Sequence, residues 1–406
     1  MTGAALWEPA THGFPTERLD EFLLWAADEG ATDIAFSTGL PAFMEVDGRL
    51  RHATGGALDG PAMARVAGAL HVSRERAETE LRGGGAIDCS HTAQGPRRQR
   101  RRFRVNMLGL QTRGRWGMGI ALRALPEEIP DLDVLGIEAE IVDALQLGEG
   151  ICLVTGVPGS GKSTILAAAM RRLLERGLGK VQTFESPIEF QLDGVKAGAA
   201  FIEQTEVPTH VGSFAEGLRA ALRRRPAAVM VGEARDLETI EAVVNAADYG
   251  IAVYSTAHVV GVSAAIRRLL TAFPPDERAE RAVALLDGLT LVVTQMLVPN
   301  PQGGRTALRE WLVFDGELKR RLFATPREAW PREIGDEVKA RSGGLGAAAA
   351  RAHGEGRIGA ADLARALAAS GDLAEGPGAH VGPAAHAGHG AHAGPAVRVG
   401  LGRTAA

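Results

Sequence analysis

The chain has 406 residues, which at roughly 150 residues per domain predicts two or three domains. Apolar residues make up 45% of the chain and charged residues 23%, a balance that excludes fibrous and wholly disordered proteins. The formal net charge of -4 gives no global positive field, so binding to nucleic acid or anionic lipid would have to be local. The two cysteines, Cys89 and Cys152, cannot build a disulfide framework or a four-thiolate zinc site, which favours a reducing compartment.

The sequence pattern does not favour targeting or membrane-spanning segments. The first 30 residues carry six acids and no basic region followed by an apolar stretch, so we expect no secretory signal. The most apolar stretch, residues 282–298, contains Asp287 and three further polar side chains. It therefore predicts a helix followed by a buried strand, and we expect no integral membrane segment.

Residues 1–125 carry short strand and helix patterns. Apolar side chains recur at helical spacing from Leu19 to Ala26, and Asp47-Gly48 is a hairpin turn signal. The predicted strands are residues 33–36, 42–46, 49–52, 103–110 and 117–125, with a helical stretch at 61–81. This pattern predicts a small α+β domain.

A change of pattern follows the segment 126–133, which contains two prolines and four acids and is typical of a linker. Apolar runs at residues 151–155, 181–184, 227–231 and 251–255 then alternate with helical stretches. Continuous apolar runs of this length are typical of a parallel sheet buried on both faces. We therefore predict an α/β domain over residues 134–324.

The remaining chain is rich in Ala, Gly and Arg. Residues 325–375 have weak helical periodicity and predict a helical region, whereas residues 376–406 are of low complexity. Such a segment cannot bury enough apolar area to offset its ordering entropy, so we expect a disordered tail. Four histidines in it could bind a metal, but a flexible solvated tail is the favoured interpretation.

The strongest chemical signal is a phosphate-binding pattern directly after the predicted strand 151–155. Its glycines would let backbone N–H groups curve around phosphate oxygens, Lys162 would reach the β- and γ-phosphates, and Ser163 would ligate Mg²⁺. A Gly-rich turn without a ligand is the weaker alternative. The predicted nucleotide-binding residues are Gly156, Gly159, Ser160, Gly161, Lys162, Ser163 and Thr164, together with Glu185 at the end of the next strand.

Polar clusters end the other three predicted strands of this domain. Glu185 and Glu189 flank a Pro-containing turn, Glu233 follows the strand 227–231, and His258 follows the strand 251–255. Because α/β sheets bind ligands beyond the carboxyl ends of their strands, these side chains are expected to meet the phosphates and the attacking water. Taken singly, such acids are usually solvated loop charges and a lone His is usually structural.

The order of these motifs resembles the PilT/GspE secretion ATPase superfamily. The matching segments are the P-loop, E-S-P-I-E-F at 185–190, V-G-E-A-R-D-L-E-T-I at 231–240, S-T-A-H at 255–258 and R-F-R-V-N at 102–106. The resemblance implies a RecA-like P-loop ATPase domain, a PAS-like N-terminal domain and a homo-hexamer that hydrolyses ATP with Mg²⁺. It also implies a cytoplasmic protein that works with secretion or pilus machinery at the inner membrane.

The resemblance assigns roles to individual residues. Glu189 corresponds to the general base, Glu233 to the Walker B acid and His258 to the His-box residue. Three arginines of the N-terminal domain, Arg102, Arg104 and Arg123, would close over the γ-phosphate. Two more, Arg219 and Arg223, would lie at the subunit interface.

Several departures from the family pattern indicate which branch of the family the chain resembles. Ser186 replaces the Asp of the Asp box, which puts the rate in question. The short N-terminal part and the lack of a four-Cys module exclude the longer assembly ATPases, and the segment 307–324 is closer to the DotB and TraJ branch of type IVB secretion and conjugation. Two alternatives remain: a nucleic-acid motor that uses the arginines of residues 97–104, although nucleic acid is not the expected partner, and a ring that binds nucleotide without turnover.

Overall fold

Two β-sheets organise the chain in the computed structural model, which describes residues 6–7, 14–71, 74–146 and 148–370. The first sheet is antiparallel, with strand order β3-β2-β1-β6-β5-β4. Its elements are α1 (Leu19–Asp28), β1 (Ala31–Ser37), β2 (Phe43–Val46), β3 (Arg49–His52), α2 (Gly60–Leu70), α3 (Arg74–Arg82), β4 (Ala86–Gln94), β5 (Arg100–Thr112) and β6 (Arg115–Ala124). This is the α+β arrangement predicted for the N-terminal part.

The first sheet has one apolar face and one polar face. Phe103, Val105 and Met107 alternate along β5 and are fully buried in the core shared with α1 and α2. Arg102 and Arg104 occupy the intervening positions, and side chains of neighbouring strand positions point to opposite faces. Both arginines therefore lie on the face that the helices leave uncovered.

Two details of this region differ from the sequence prediction. Strand β4 was not predicted, because its inward positions carry His91 and Ala93 beside Ile87 and Cys89 and so show little hydrophobic alternation. The predicted helical stretch 61–81 is two helices, because the chain is extended at His71 after α2 ends. The predicted Asp47-Gly48 turn is present, with positive φ at both residues.

The second sheet has strand order β13-β12-β7-β11-β10-β8-β9, and all its pairs are parallel except β12 with β13. Helices cover both faces, as the apolar runs predicted. Its elements are α4 (Ala139–Ala144), β7 (Gly150–Thr155), α5 (Lys162–Glu175), β8 (Lys180–Glu185), β9 (Phe201–Glu206), α6 (Phe214–Leu222), β10 (Ala228–Val231), α7 (Leu237–Asp248), β11 (Ala252–Ala257), α8 (Val262–Ala272), α9 (Arg278–Gly288), β12 (Leu289–Pro299) and β13 (Arg305–Val313).

Four short helices follow the second sheet: α10 (Gly316–Phe323), α11 (Trp330–Arg341), α12 (Gly344–Gly354) and α13 (Ala360–Ser370). Glu310 of β13 joins this region to the sheet, since its carboxylate accepts from the N–H groups of Val262 at 2.7 Å and Leu345 at 3.1 Å. One buried side chain thus satisfies the first turns of α8 and α12. The predicted tail, residues 376–406, lies outside the described residues, and the domain boundaries remain predictions.

The stretch 282–298 forms α9 and the buried strand β12, as its polar interruptions predicted. Within the described part of the chain, the structure contains no helix with the length and hydropathy needed to span a membrane.

Candidate nucleotide site

The predicted phosphate-binding loop connects β7 to α5 at the carboxyl edge of the second sheet. Gly156 and Gly161 have φ angles of 142° and 84°. A Cβ at Gly156 would lie 2.2 Å from the Gln295 carbonyl oxygen, and one at Gly161 would lie 2.7 Å from the Gln295 side-chain nitrogen. Both positions therefore require glycine for backbone conformation and for close approach to β12.

Lys162 begins α5 and is buried against this loop. Its Nζ donates to the carbonyl oxygens of Gly156 and Val157, each at 3.0 Å, and lies 3.4 Å from Nδ1 of His258. Burial lowers the pKa of Lys162, and the charges of Glu233 and Glu189 act against this. Neutral carbonyls compensate the ammonium only partly, so an anionic ligand would gain a strong electrostatic interaction here.

A cavity of about 600 Å³ lies beside the loop, and we call it the inter-sheet cavity. The second sheet supplies most of its wall, and the first sheet supplies Ala86, Asp88 and Arg104. The predicted site residues that line it are Gly159, Lys162, Ser163, Glu185, Glu189, Glu233, His258 and Arg104. The structure thus brings all four polar strand ends and one predicted arginine together at one cavity.

Other predicted residues lie near the cavity without lining it. Gly156, Ser160, Gly161 and Thr164 belong to the loop and the first turn of α5, and the Ser160 hydroxyl is buried with no hydrogen-bond partner among the described residues. His258 contacts the Walker B position, since its Nε2 lies 3.7 Å from Glu233 Oε2.

Glu185 and Glu189 follow the same strand but have different environments. Glu185 is buried, and its Oε1 accepts from Thr183 Oγ1 at 2.6 Å and from Gln204 Nε2 at 3.1 Å. Burial raises the pKa of Glu185 to about 7. Glu189 is less buried and also lines the cavity, so its side chain is better placed than that of Glu185 to contact a water molecule there.

The three predicted arginines share one face of the first sheet but have different partners. Arg104 lines the inter-sheet cavity. Arg102 is buried and donates to the carbonyl oxygens of Ile188 at 2.5 Å and Glu189 at 3.0 Å. Arg123, one strand farther away, pairs with Asp33 at 2.8 Å, and its side chain is 72% exposed. Only Arg104 lines the cavity; a catalytic role for Arg102 and Arg123 remains a prediction.

Sequence reasoning missed two residues that support the phosphate-binding loop. The Gln295 side-chain nitrogen donates to the Ser160 carbonyl at 2.5 Å, and Arg309 Nε donates to Gln295 Oε1 at 2.6 Å. Arg309 also donates to the carbonyl oxygens of Gly136 at 2.8 Å and Leu135 at 3.2 Å. The available signal was a glutamine inside a mostly apolar stretch, which is unusual unless the amide has partners.

Comparison with known proteins places this geometry in a family. Residues 60–329, more than half of the chain, match the family described as Type II/IV secretion system protein. The chain belongs to this family. It is 32% identical over 297 residues to the "Type IV pilus retractation ATPase PilT" of Pseudomonas aeruginosa, covering 73% of this chain and 82% of that protein.

Solved structures give the same assignment. The Legionella pneumophila ATPase DotB superposes with a TM-score of 0.81 and 35% identity, covering 88% of this chain and 97% of that one. The pilus retraction motor PilT with bound ADP has a TM-score of 0.74 and 28% identity, covering 86% and 96%. The chain is therefore a nucleotide-binding ATPase of the PilT- and DotB-like secretion superfamily, with a RecA-like fold. It is a secretion or pilus motor ATPase.

Proposed function

We propose that this chain forms a homo-hexamer that hydrolyses ATP with Mg²⁺ and drives a pilus-type, type IVB secretion or conjugative transfer machine from the cytoplasmic side of the inner membrane. The observation that carries the proposal is the inter-sheet cavity, where Lys162 and the acids of the second sheet face Arg104 of the first. A nucleotide bound there would be enclosed by both sheets.

Each side chain has a chemical role in this proposal. Lys162 exchanges its two carbonyl partners for phosphate oxygens. The negative charge of the phosphates then neutralises the buried ammonium. Glu189 accepts the proton of the attacking water, and Glu233 with His258 orients the reactants. Arg104 meets the negative charge of the transferred phosphoryl group.

The residues present fit a magnesium ion. The Ser163 hydroxyl and the Glu233 carboxylate line the same cavity, and oxygen atoms of this kind are the ligands that Mg²⁺ prefers. When bound, Mg²⁺ would neutralise charge on the β- and γ-phosphates. The raised pKa of Glu185 makes that residue a poorer ligand near neutral pH, because its oxygens are then partly protonated.

The type of machine that the protein drives and its assembly into a hexameric ring are inferred from relatives. Similarity to PilT supports a pilus-type motor, and the resemblance of residues 307–324 to the DotB and TraJ branch supports type IVB secretion or conjugation. Arg219 pairs with Glu238 at 2.9 Å on the surface of α6. Because its side chain is exposed, it is available for the predicted subunit interface.

The nucleic-acid motor has less support. In the basic run, Arg102 is buried and donates to two carbonyl oxygens of the 186–190 loop, so its side chain is not free to contact a phosphate backbone. Arg101 of the same run pairs with Glu127, which would compete with such a contact.

Substitution of the two acids tests the proposal. Glu189→Gln and Glu233→Gln keep side-chain size but remove the carboxylate, so each variant should bind ATP while losing hydrolysis. Glu175→Gln, on the exposed end of α5, is the control and should behave as the wild type. Collapse of nucleotide affinity in both variants, with normal turnover per bound ATP, would make these acids binding elements and overturn their roles. Absence of any hydrolysis by the wild type with Mg²⁺ would support the non-hydrolysing ring.

A further inference from the structure

The open edges of the two sheets meet at one carboxylate. Glu206 ends β9, the edge strand of the second sheet, and Ser90 lies in β4, the edge strand of the first. Glu206 is only 4% exposed. Its two oxygens accept from the Ser90 N–H at 3.1 Å and from the Ser90 hydroxyl at 2.7 Å. An edge N–H that would otherwise face solvent is thus used to join the sheets.

The same carboxylate also holds the loop that carries Glu189. Glu206 Oε2, which accepts from the Ser90 hydroxyl, accepts in addition from the Ile188 N–H at 3.2 Å. Thr209 Oγ1 donates to the other oxygen at 3.2 Å. Glu206 therefore bridges the first sheet and the 186–190 loop through three donors and accepts from four in all, which is a strong arrangement for a buried carboxylate.

Arg102 binds the same loop as a hydrogen-bond donor, whereas Glu206 binds it as an acceptor. It donates to the carbonyl oxygens of Ile188 and Glu189, while Glu206 accepts from the N–H of Ile188. The peptide groups on both sides of Ile188 are therefore fixed by contacts that depend on the first sheet. Neither Ser90 nor Arg102 lines the inter-sheet cavity, and the contacts of both lead to the 186–190 loop, directly or through Glu206.

We propose that Ser90, Arg102 and Glu206 are positioning residues: docking of the first sheet on the second sets the backbone of the 186–190 loop and so places Glu189 for hydrolysis. The inference rests on the proposed function of Glu189. It makes turnover dependent on contact between the sheets at a point separate from Arg104. An undocked subunit would keep its phosphate-binding loop and bind nucleotide, but its Glu189 would no longer be held in place.

Steady-state kinetics on the full-length chain test this proposal. Ser90→Ala and Arg102→Ala should each lower kcat on the order of 10- to 100-fold, as small misplacements of catalytic groups do, and leave ADP affinity within about two-fold. Ser90→Thr keeps the hydroxyl and should restore most of the rate. Thr92→Ala and Arg100→Ala, on the same two strands, are the matched controls. Melting temperatures verify that every variant is folded.

A double variant separates positioning from a general structural effect. If Ser90 acts through Glu189, Ser90→Ala should cause no further loss in the residual turnover of Glu189→Gln, measured at high enzyme concentration. An equal loss in both backgrounds, or normal kcat in Ser90→Ala and Arg102→Ala while Glu189→Gln is inactive, would overturn the inference. Wild-type turnover by Glu189→Gln would instead refute the proposed function.

Hydrogen exchange supplies a readout that does not depend on activity. In nucleotide-free protein, amides of the 186–190 loop should exchange faster in Ser90→Ala and Arg102→Ala than in the wild type or Thr92→Ala. Unchanged protection of the loop in both variants would contradict the proposal.

Discussion

The side-chain nitrogen of Gln295 donates to the carbonyl oxygen of Ser160 at 2.5 Å, and this bond ties the phosphate-binding loop to β12. Arg309 fixes the orientation of that amide by donating to its oxygen at 2.6 Å. Since Arg309 also binds carbonyls of residues 135 and 136, the segment before α4 and the nucleotide loop are held by one side chain.

Arg309→Met should weaken both stability and nucleotide binding. The substitution leaves the Gln295 oxygen and two carbonyls without their buried donor, a loss of about 3 kcal/mol in free energy of unfolding. It should also weaken ADP binding, because Gln295 is free to rotate away from Ser160. Chemical denaturation and ADP titration measure both effects, with exposed Arg320→Met on α10 as control. Unaltered stability and ADP affinity would show that the hydrogen bonds from Arg309 through Gln295 to Ser160 do not support the phosphate-binding loop.

Lys162→Ala should abolish turnover without harming the fold. The ammonium is buried against two carbonyls and its pKa is lowered by burial, so its removal relieves an unfavourable desolvation. We expect a melting temperature at least as high as that of the wild type and loss of phosphate release. Lys196→Ala, in an exposed loop, is the control. Normal hydrolysis by the folded variant would refute the assignment of the loop.

Glu185→Gln should change how stability depends on pH. Burial raises the pKa of Glu185 from 4.5 to about 7, so the folded protein holds this proton more tightly than the unfolded chain does. The free energy of unfolding therefore falls as pH rises between these values, by about 3 kcal/mol in total.

The glutamine can still accept from Thr183 and Gln204, so the variant should melt higher than the wild type at pH 8 and about equally at pH 5. Thermal melting of the nucleotide-free protein at the two pH values measures this, with Glu175→Gln as control. A variant that is less stable at pH 8 would show that Glu185 is ionised without penalty.

Local sequence patterns predicted the parts of the fold that have strong periodicity. The strands β7, β8, β10 and β11 are continuous apolar runs and were predicted correctly. The glycine-rich segment forms the connection between β7 and α5, as its place directly after the first of these strands predicted. The edge strands β4 and β9 were missed, because an edge strand buries less and its composition is polar. Tertiary contacts, rather than local preference, complete them.

The sequence could predict only those site residues that directly follow a predicted strand. Glu189, Glu233 and His258 follow strands whose carboxyl ends share one edge, so their meeting followed from topology. Gln295 and Glu206 act through partners that are more than 100 residues away in the chain, Ser160 and Ser90, and no pattern in one sequence indicates such pairs. The different partners of Arg102 and Arg104 likewise depend on how the two sheets dock.

Basal turnover of Arg104→Ala tests most directly the claim that both sheets build the hydrolytic site. Arg104 lines the cavity from the first sheet, so its removal should lower kcat on the order of 10³-fold in buffer without nucleic acid and leave ADP affinity near that of the wild type. Arg100→Ala on the same strand should keep its rate. Unchanged basal turnover in Arg104→Ala, with weaker DNA binding and a salt slope reduced by about one, would contradict the account and favour the nucleic-acid motor.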